Sequence, residues 1–159
     1  MEAELNSITL TAPLTGMAIP IEMVPDPIFA NKIVGEGIAI DPLSNELLAP
    51  CDGEVVLVHT FGHALTLLHH SGIEVLLHVG LDTADLKGEG FEVLVKAGDQ
   101  VKTGDLLMKF ELSVMTEKSK NTLTQIVITN TDKLRSFTTN TGFMEAGKNQ
   151  LAVFTPKAK

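Results

Sequence analysis

Short β-branched or Leu-rich runs recur along this chain at intervals of roughly ten residues, separated by Gly, Pro, Asp and Asn, which is the spacing of an all-β sandwich or barrel. Strands are predicted at Ser7–Ala12, Met17–Pro20, Gly37–Asp41, Leu47–Ala49, Gly53–Val58, Ala64–Leu68, Ile73–His78, Phe91–Val95, Leu106–Glu111, Leu123–Ile128 and Leu151–Phe154. Two Gly-Asp turns in "VKAGDQVKTGDLL" flank one more short strand. Helix is scarce. The best windows are Ser113–Lys120, with Ser113 as cap, and "TDKLRSF" after Asn130. "TAPLTGMAI" at Thr11–Ile19 and "LAPCDGEVV" at Leu48–Val56 share an Ala-Pro-x-x-Gly core. Pro removes a ladder donor and Gly permits positive φ, so each reads as a strand–turn–strand corner, whether by duplication or by independent origin. The tail "TPKAK" reads as loose.

Composition narrows the classes. At 159 residues the chain holds one domain, 1–159, with a sizeable core, and 44% hydrophobic with 20% charged residues is globular. Mean hydropathy is +0.21. No run approaches the ~20 apolar residues of a membrane span, and "MEAELNSITL" lacks a basic and an apolar leader segment. A net charge of −8 with no basic cluster argues against nucleic acid and favours a basic partner. Cys51 is the only cysteine, so there is no disulfide framework, and a reducing, cytoplasmic compartment fits. Cys51 itself reads as a small core residue. Without Trp or Tyr, aromatic stacking platforms have little to be built from.

Five histidines lie between positions 59 and 78. "GHALTLLHHSGIEVLLH" reads as strand, turn, strand, and an even-length loop centred between His70 and Ser71 sets His63 opposite His78, Leu65 opposite Leu76 and Leu67 opposite Glu74. His59, His69 and His70 fall at a strand end and a turn tip and read as solvated. Two facing imidazoles support metal binding, acid–base chemistry or attack on a phosphoryl group. A metal held within one chain wants a third protein ligand, for which Asp82 is the nearby candidate. There is no nucleotide-type Gly-rich phosphate loop and no Gly-x-Ser-x-Gly elbow, so a phosphate would arrive attached to a partner. "DPIFANKIVG" offers Ile28, Phe29, Ile33 and Val34 near a turn, and the pairing puts Leu76 on the histidine face.

"LLHVGLDTADLKGEGF" (Leu76–Phe91) resembles the signature around the phosphorylated histidine of the glucose-type IIA component of the bacterial sugar phosphotransferase system. "LTAPLTGMAIPIEMVPDPIFANKIVGEGIAIDP", "LLAPCDGEVV" and "NTLTQIVITN" extend the resemblance over about residues 8–155. It implies an antiparallel β-sandwich in which His78 accepts a phosphoryl group and His63 is its neighbour. The donor is then the phosphocarrier HPr, and the recipient a cysteine on a IIB domain of a sugar permease. The chain would be a histidine phosphocarrier rather than a stand-alone catalyst, with no resident cofactor. Attack through Nε2 of His78 calls for an Nδ1–H held by a backbone carbonyl, with Gly80 as candidate. Asp26 and Asp82 match acidic positions flanking the family's site, and the Ile28–Val34 segment matches part of its docking patch. Simple members also act as regulatory binding proteins, with zinc shared between the two histidines and a partner carboxylate. The segment "VPDPIFANKIVGEGIAIDPLSNELLAP" is similar to members fused ahead of HPr and enzyme I. One departure stands out: the family's threonine two residues before the first histidine is Phe61 here, and Thr60 has the opposite parity. A rival class, a biotinyl or lipoyl carrier, rests on "GDLLMKFE", but Lys109 sits in a strand-like run rather than at a hairpin tip.

Overall fold

A computed structural model describes residues 7–118 and 120–157. Strand forms almost wherever the apolar runs predict it: β1 (Ile8–Thr11), β2 (Gly16–Pro20), β3 (Glu36–Pro42), β4 (Glu46–Leu48), β5 (Gly53–Val58), β6 (Ala64–Leu68), β7 (Glu74–His78), β8 (Phe91–Val93), β9 (Gln100–Val101), β10 (Leu106–Phe110), β11 (Thr124–Ile128), β12 (Leu134–Thr139), β13 (Gly142–Met144) and β14 (Gln150–Pro156). The strands make an eight-stranded sheet, β13-β2-β3-β11-β7-β6-β5-β9, and two three-stranded sheets, β1-β14-β12 and β4-β10-β8. The pairings that build the sheets are antiparallel, so the fold is the expected β-sandwich.

The main core lies between the sheets. Leu65 and Leu67 of β6, Val75 and Leu77 of β7, Ile126 and Ile128 of β11, and Ile38 and Ile40 of β3 all point into it. Their alternate neighbours face outward, yet β11 is buried on both sides, because a second cluster covers the outer face. There Ile21, Val24, Phe29, Ala39, Leu81 and Val127 pack together with Leu76 and Val34. This small outer core carries the candidate site.

The two Ala-Pro-x-x-Gly corners hydrogen-bond reciprocally, Thr11 N–H to Pro50 O and Leu48 N–H to Pro13 O, both at 2.9 Å. Ala12 and Ala49 also use their backbones alike. Each donates and accepts across to a later loop, Ala12 to Asn149 and from Gly147, Ala49 to Asp105 and from Gly104. The sequence echo is thus matched by an echo in space.

Several expectations are corrected. "TDKLRSF" forms only a 3₁₀ turn, Thr131–Lys133, and then strand β12. A register shift between Leu134 and Ser136 puts Leu134 and Phe137, three apart, both against the core, and so mimics helical spacing. The helix Leu112–Glu117 begins one residue before Ser113, with Glu111 at its N-cap and no side-chain cap bond. Asn45 Oδ1 accepts the Leu112 N–H instead, at 3.0 Å. The predicted helical window runs on across Ser119, outside the described residues. Of the tail read as loose, Thr155 and Pro156 instead belong to β14 and pair with Ser136 and Leu134, while Ala158–Lys159 lie outside the described residues. An unpredicted turn of helix, Pro27–Ala30, follows Asp26, whose Oδ1 accepts the Ile28 N–H at 3.0 Å with Pro27 at the first helical position.

The central hairpin is one residue out of the predicted register. Leu65 pairs with Leu77, Thr66 with Leu76, Leu67 with Val75 and Ala64 with His78. The cause is an odd, three-residue loop: His69 N–H bonds Ile73 O, Gly72 N–H bonds His69 O, and Gly72 takes φ +93°. Glycine at that position closes a three-residue hairpin without a Cβ penalty.

Candidate functional site

His78 ends β7 on its outer face. The chain then turns through Val79 and Gly80, and Gly80 must be glycine for two reasons. Its φ is +79°, and a Cβ there would lie 2.5 Å from Thr83 Cγ2 and 3.0 Å from Asn121 O. Thr83, fully buried, locks this corner by donating its hydroxyl to Val79 O at 2.6 Å. The corner delivers the Gly80 carbonyl to His78, whose Nδ1–H donates to it at 2.9 Å, as expected. Nε2 is therefore the nitrogen that carries the lone pair. A second acceptor, Gln125 Oε1, lies 3.2 Å from the same Nδ1.

In the observed register His63 falls opposite Val79, whose N–H bonds its carbonyl at 2.9 Å. Strand parity alone would send its side chain into the main core with Leu65. His63 is not in the ladder, however: it lies in a bend after Gly62, at φ +79°. Its ring stands edge-on to His78, with centroids 5.0 Å apart and planes at 84°. Phe29 backs His78 at 5.2 Å. His59, read from sequence as solvated, is exposed, but its ring centroid lies 4.3 Å from that of His63, the two planes tilted at 59°. His59 Nδ1 accepts the Phe61 N–H at 3.2 Å.

Burial dominates the electrostatics. His63 is 3% exposed, and burial, then the His78 and His59 charges, push it down to about 4. His78 is also lowered by burial, opposed by its bonds to Gly80 and Gln125 and by the Asp26 charge. Burial thus favours the neutral form of both rings. Phe61, two residues before His63, offers no side-chain hydrogen bond, and the buried Nδ1 of His63 has no hydrogen-bond partner among the described residues. Among those residues no group of three or more His, Cys, Asp or Glu side chains is arranged to hold a metal ion.

The remaining candidates separate by position. Asp26 and Asp82 line one cleft of about 220 Å³ with Pro25, Leu81, Lys120 and Asn121. Ile28 and Ile33 are 50% and 71% exposed, whereas Phe29 is buried and Val34 and Leu76 pack against the outer core. His69 corrects the sequence reading: it is buried, its Nδ1 accepting the Ser71 N–H at 3.1 Å and its ring edge-on to Phe154. His70 is exposed as read. Cys51 is buried and its thiol is pushed up to about 12, a core residue as expected. Lys109 sits mid-strand in β10, paired with both Glu46 and Glu92, which is no place for a carrier lysine.

The family model for the phosphoenolpyruvate-dependent sugar phosphotransferase system, EIIA 1, matches residues 8–134. The chain belongs to that EIIA family. A glucose-specific EIIA component from Oceanobacillus iheyensis is 46% identical over 151 residues, covering 94% of this chain and 92% of the relative. Another from Bacillus cereus is 46% identical over 140 residues, covering 88% and 85%. The solved structure of glucose permease IIA from Mycoplasma capricolum superposes with a TM-score of 0.87 at 32% identity, covering 92% of this chain and 95% of that one. The EIIA chain is thus a phosphoryl carrier of the phosphotransferase system, acting in sugar uptake. No helix among the described residues of this EIIA is long and apolar enough to cross a membrane.

Two site residues escaped sequence reasoning. His59 reads as solvated from its place at a strand end, and the turn and bend at Thr60–Gly62 leave its ring beside that of His63. Gln125 carried a usable signal: it is a polar residue inside the apolar strand "TQIVI".

Proposed function

We propose that His78 accepts a phosphoryl group from phospho-HPr and passes it to a IIB domain of a permease, and that His63 assists. The observation that carries this reading is the pinned Nδ1–H of His78, which leaves a neutral Nε2 lone pair beside a second imidazole. That lone pair forms the new N–P bond while the P–N bond to the donor breaks and its electron pair returns to the donor ring. Phosphoryl transfer asks a protein mainly for such positioning and for charge stabilisation. His63 supplies the latter. An unpartnered N–H is rarer in a protein interior than an unpartnered acceptor, so its buried Nδ1 favours the tautomer with the proton on Nε2, a donor for a phosphoryl oxygen.

Docking falls to the ground around the rings. Ile28 and Ile33 offer apolar area, Phe29, Val34 and Leu76 support it from beneath, and Asp26 and Asp82 complement a basic partner surface. The relatives' names point to a glucose-type permease as the onward route. In a reaction with phosphoenolpyruvate, enzyme I and HPr, wild type takes up acid-labile label and His78→Ala takes up none. Uptake by His78→Ala at the wild-type level would refute the assignment. His63→Gln still takes up label, while onward transfer to IIB falls.

A further inference from the structure

We propose that Gln125 is a positioning residue for His78, a second acceptor that keeps the proton on Nδ1 while Nε2 takes and releases the phosphoryl group. The inference rests on His78 being the phosphoryl acceptor. Gln125 lies on β11 directly opposite His78 on β7, on the same outer face of the sheet. It is wholly buried, in a strand whose other residues are Thr, Ile and Val. An amide is costly in such a place unless its polar atoms are paired. Its Nε2 donates to Leu123 O at 2.7 Å. Because that carbonyl can only accept, the amide nitrogen must face it, and Oε1 is thereby aimed at His78 Nδ1, 3.2 Å away. Gly80 O accepts from the same Nδ1–H at 2.9 Å, so the proton is shared between two neutral oxygens.

The chemistry shows what the second acceptor adds. When the Nε2 lone pair bonds phosphorus and Nδ1 keeps its proton, the ring carries a positive charge. When the P–N bond later breaks towards a nucleophile, its electron pair returns to Nε2 and the ring leaves as neutral imidazole. If Nδ1 has lost its proton, the leaving group is instead an imidazolate, a far poorer one. Burial works against the charged ring, and the Gly80 carbonyl, the Gln125 oxygen and the Asp26 carboxylate oppose that burial, while His59 reinforces it. A hydrogen bond to a charged group sets the scale of the effect at about tenfold, the low end of its range, because this bond is long and shared.

Two substitutions of similar size test this with opposite signs. Gln125→Met removes the acceptor, and Gln125→Glu keeps an oxygen there and adds charge. The EIIA is labelled through enzyme I and HPr at neutral pH, and both phosphohistidine hydrolysis and transfer to IIB are timed below the melting temperature of each variant. Gln125→Met should release phosphate about tenfold more slowly than wild type, and Gln125→Glu as fast or faster. In the unphosphorylated proteins the ¹⁵N resonance of His78 Nδ1 should move in Gln125→Met, a readout that needs no phosphoryl transfer. Release by Gln125→Met within twofold of wild type and an unmoved Nδ1 resonance would overturn the inference. So would Gln125→Glu releasing more slowly than wild type, and this arm decides if the Met variant does not fold. Failure of wild type to take label on His78 would instead overturn the functional reading, with the resonance shift still reporting on Gln125.

Discussion

Substituting Gly80 by alanine perturbs the corner that presents the Gly80 carbonyl to His78, and the structure sets the size of the effect. An L-residue held in the left-handed region costs roughly 1–2 kcal/mol. The new Cβ would also meet Thr83 Cγ2 at 2.5 Å, Asn121 O at 3.0 Å and Met115 Sδ at 3.2 Å, with Thr83 tied down by its bond to Val79 O. Overpacking of this kind adds roughly 1–3 kcal/mol. Gly72→Ala is the internal control, because Gly72 has φ +93° and nothing within 4 Å of the added Cβ, so it reports the backbone cost alone. Gly80→Ala should thus lose roughly 2–5 kcal/mol and Gly72→Ala roughly 1–2. At about 2–4 °C per kcal/mol for a domain of this size, the two melting temperatures separate clearly. Gly80→Ala should also slow phosphoryl uptake, at least about tenfold, because its carbonyl can no longer sit 2.9 Å from Nδ1. The measurements are thermal unfolding and initial rates of label uptake from phospho-HPr. Equal melting temperatures for the two variants, or wild-type uptake by Gly80→Ala, would refute the reasoning.

Further outcomes follow from burial. His63 has its folded pKa lowered to about 4 from an ordinary 6.5, so between those values the unfolded chain binds a proton that the folded chain does not. Stability therefore falls as pH drops from 6.5 to about 4, and His63→Gln should flatten that part of the stability curve measured by urea unfolding. Cys51, buried and with its thiol pushed up to about 12, should resist a thiol reagent in the native protein and react only on unfolding; rapid native labelling would contradict this burial. Leu77 is wholly buried opposite Leu65 in the main core, and Leu77→Ala should cost about 2–5 kcal/mol in denaturant unfolding with the fold retained.

Much of this architecture was legible because strands bounded by Gly, Pro and Asp announce themselves locally. β5 and β6 match their predicted limits, and most others differ by one or two residues. β12 was missed because its bulge makes a strand carry helical spacing, and β13 because its outward residue, Phe143, is itself apolar, so no alternation of apolar and polar positions marks it. The closeness of the two histidine rings matches the sequence reading, but the register that led to it does not. The predicted ladder and the real one differ by one residue, and the bend at His63 returns its ring to His78.

By itself, the order of apolar and polar residues determined that this chain forms β-sheets around one main core, and that His63 and His78 flank one hairpin. These follow from side-chain alternation and from short-range turn chemistry, which act between neighbours in the chain. Tertiary structure decided the rest. Gly72 set the loop length and with it the register, the small outer core buried both faces of β11, and strand pairing brought Gln125 to a histidine 47 positions earlier. Hydrogen bonds and burial of this kind depend on which strands lie side by side, and that is a property of the whole packed molecule rather than of any segment.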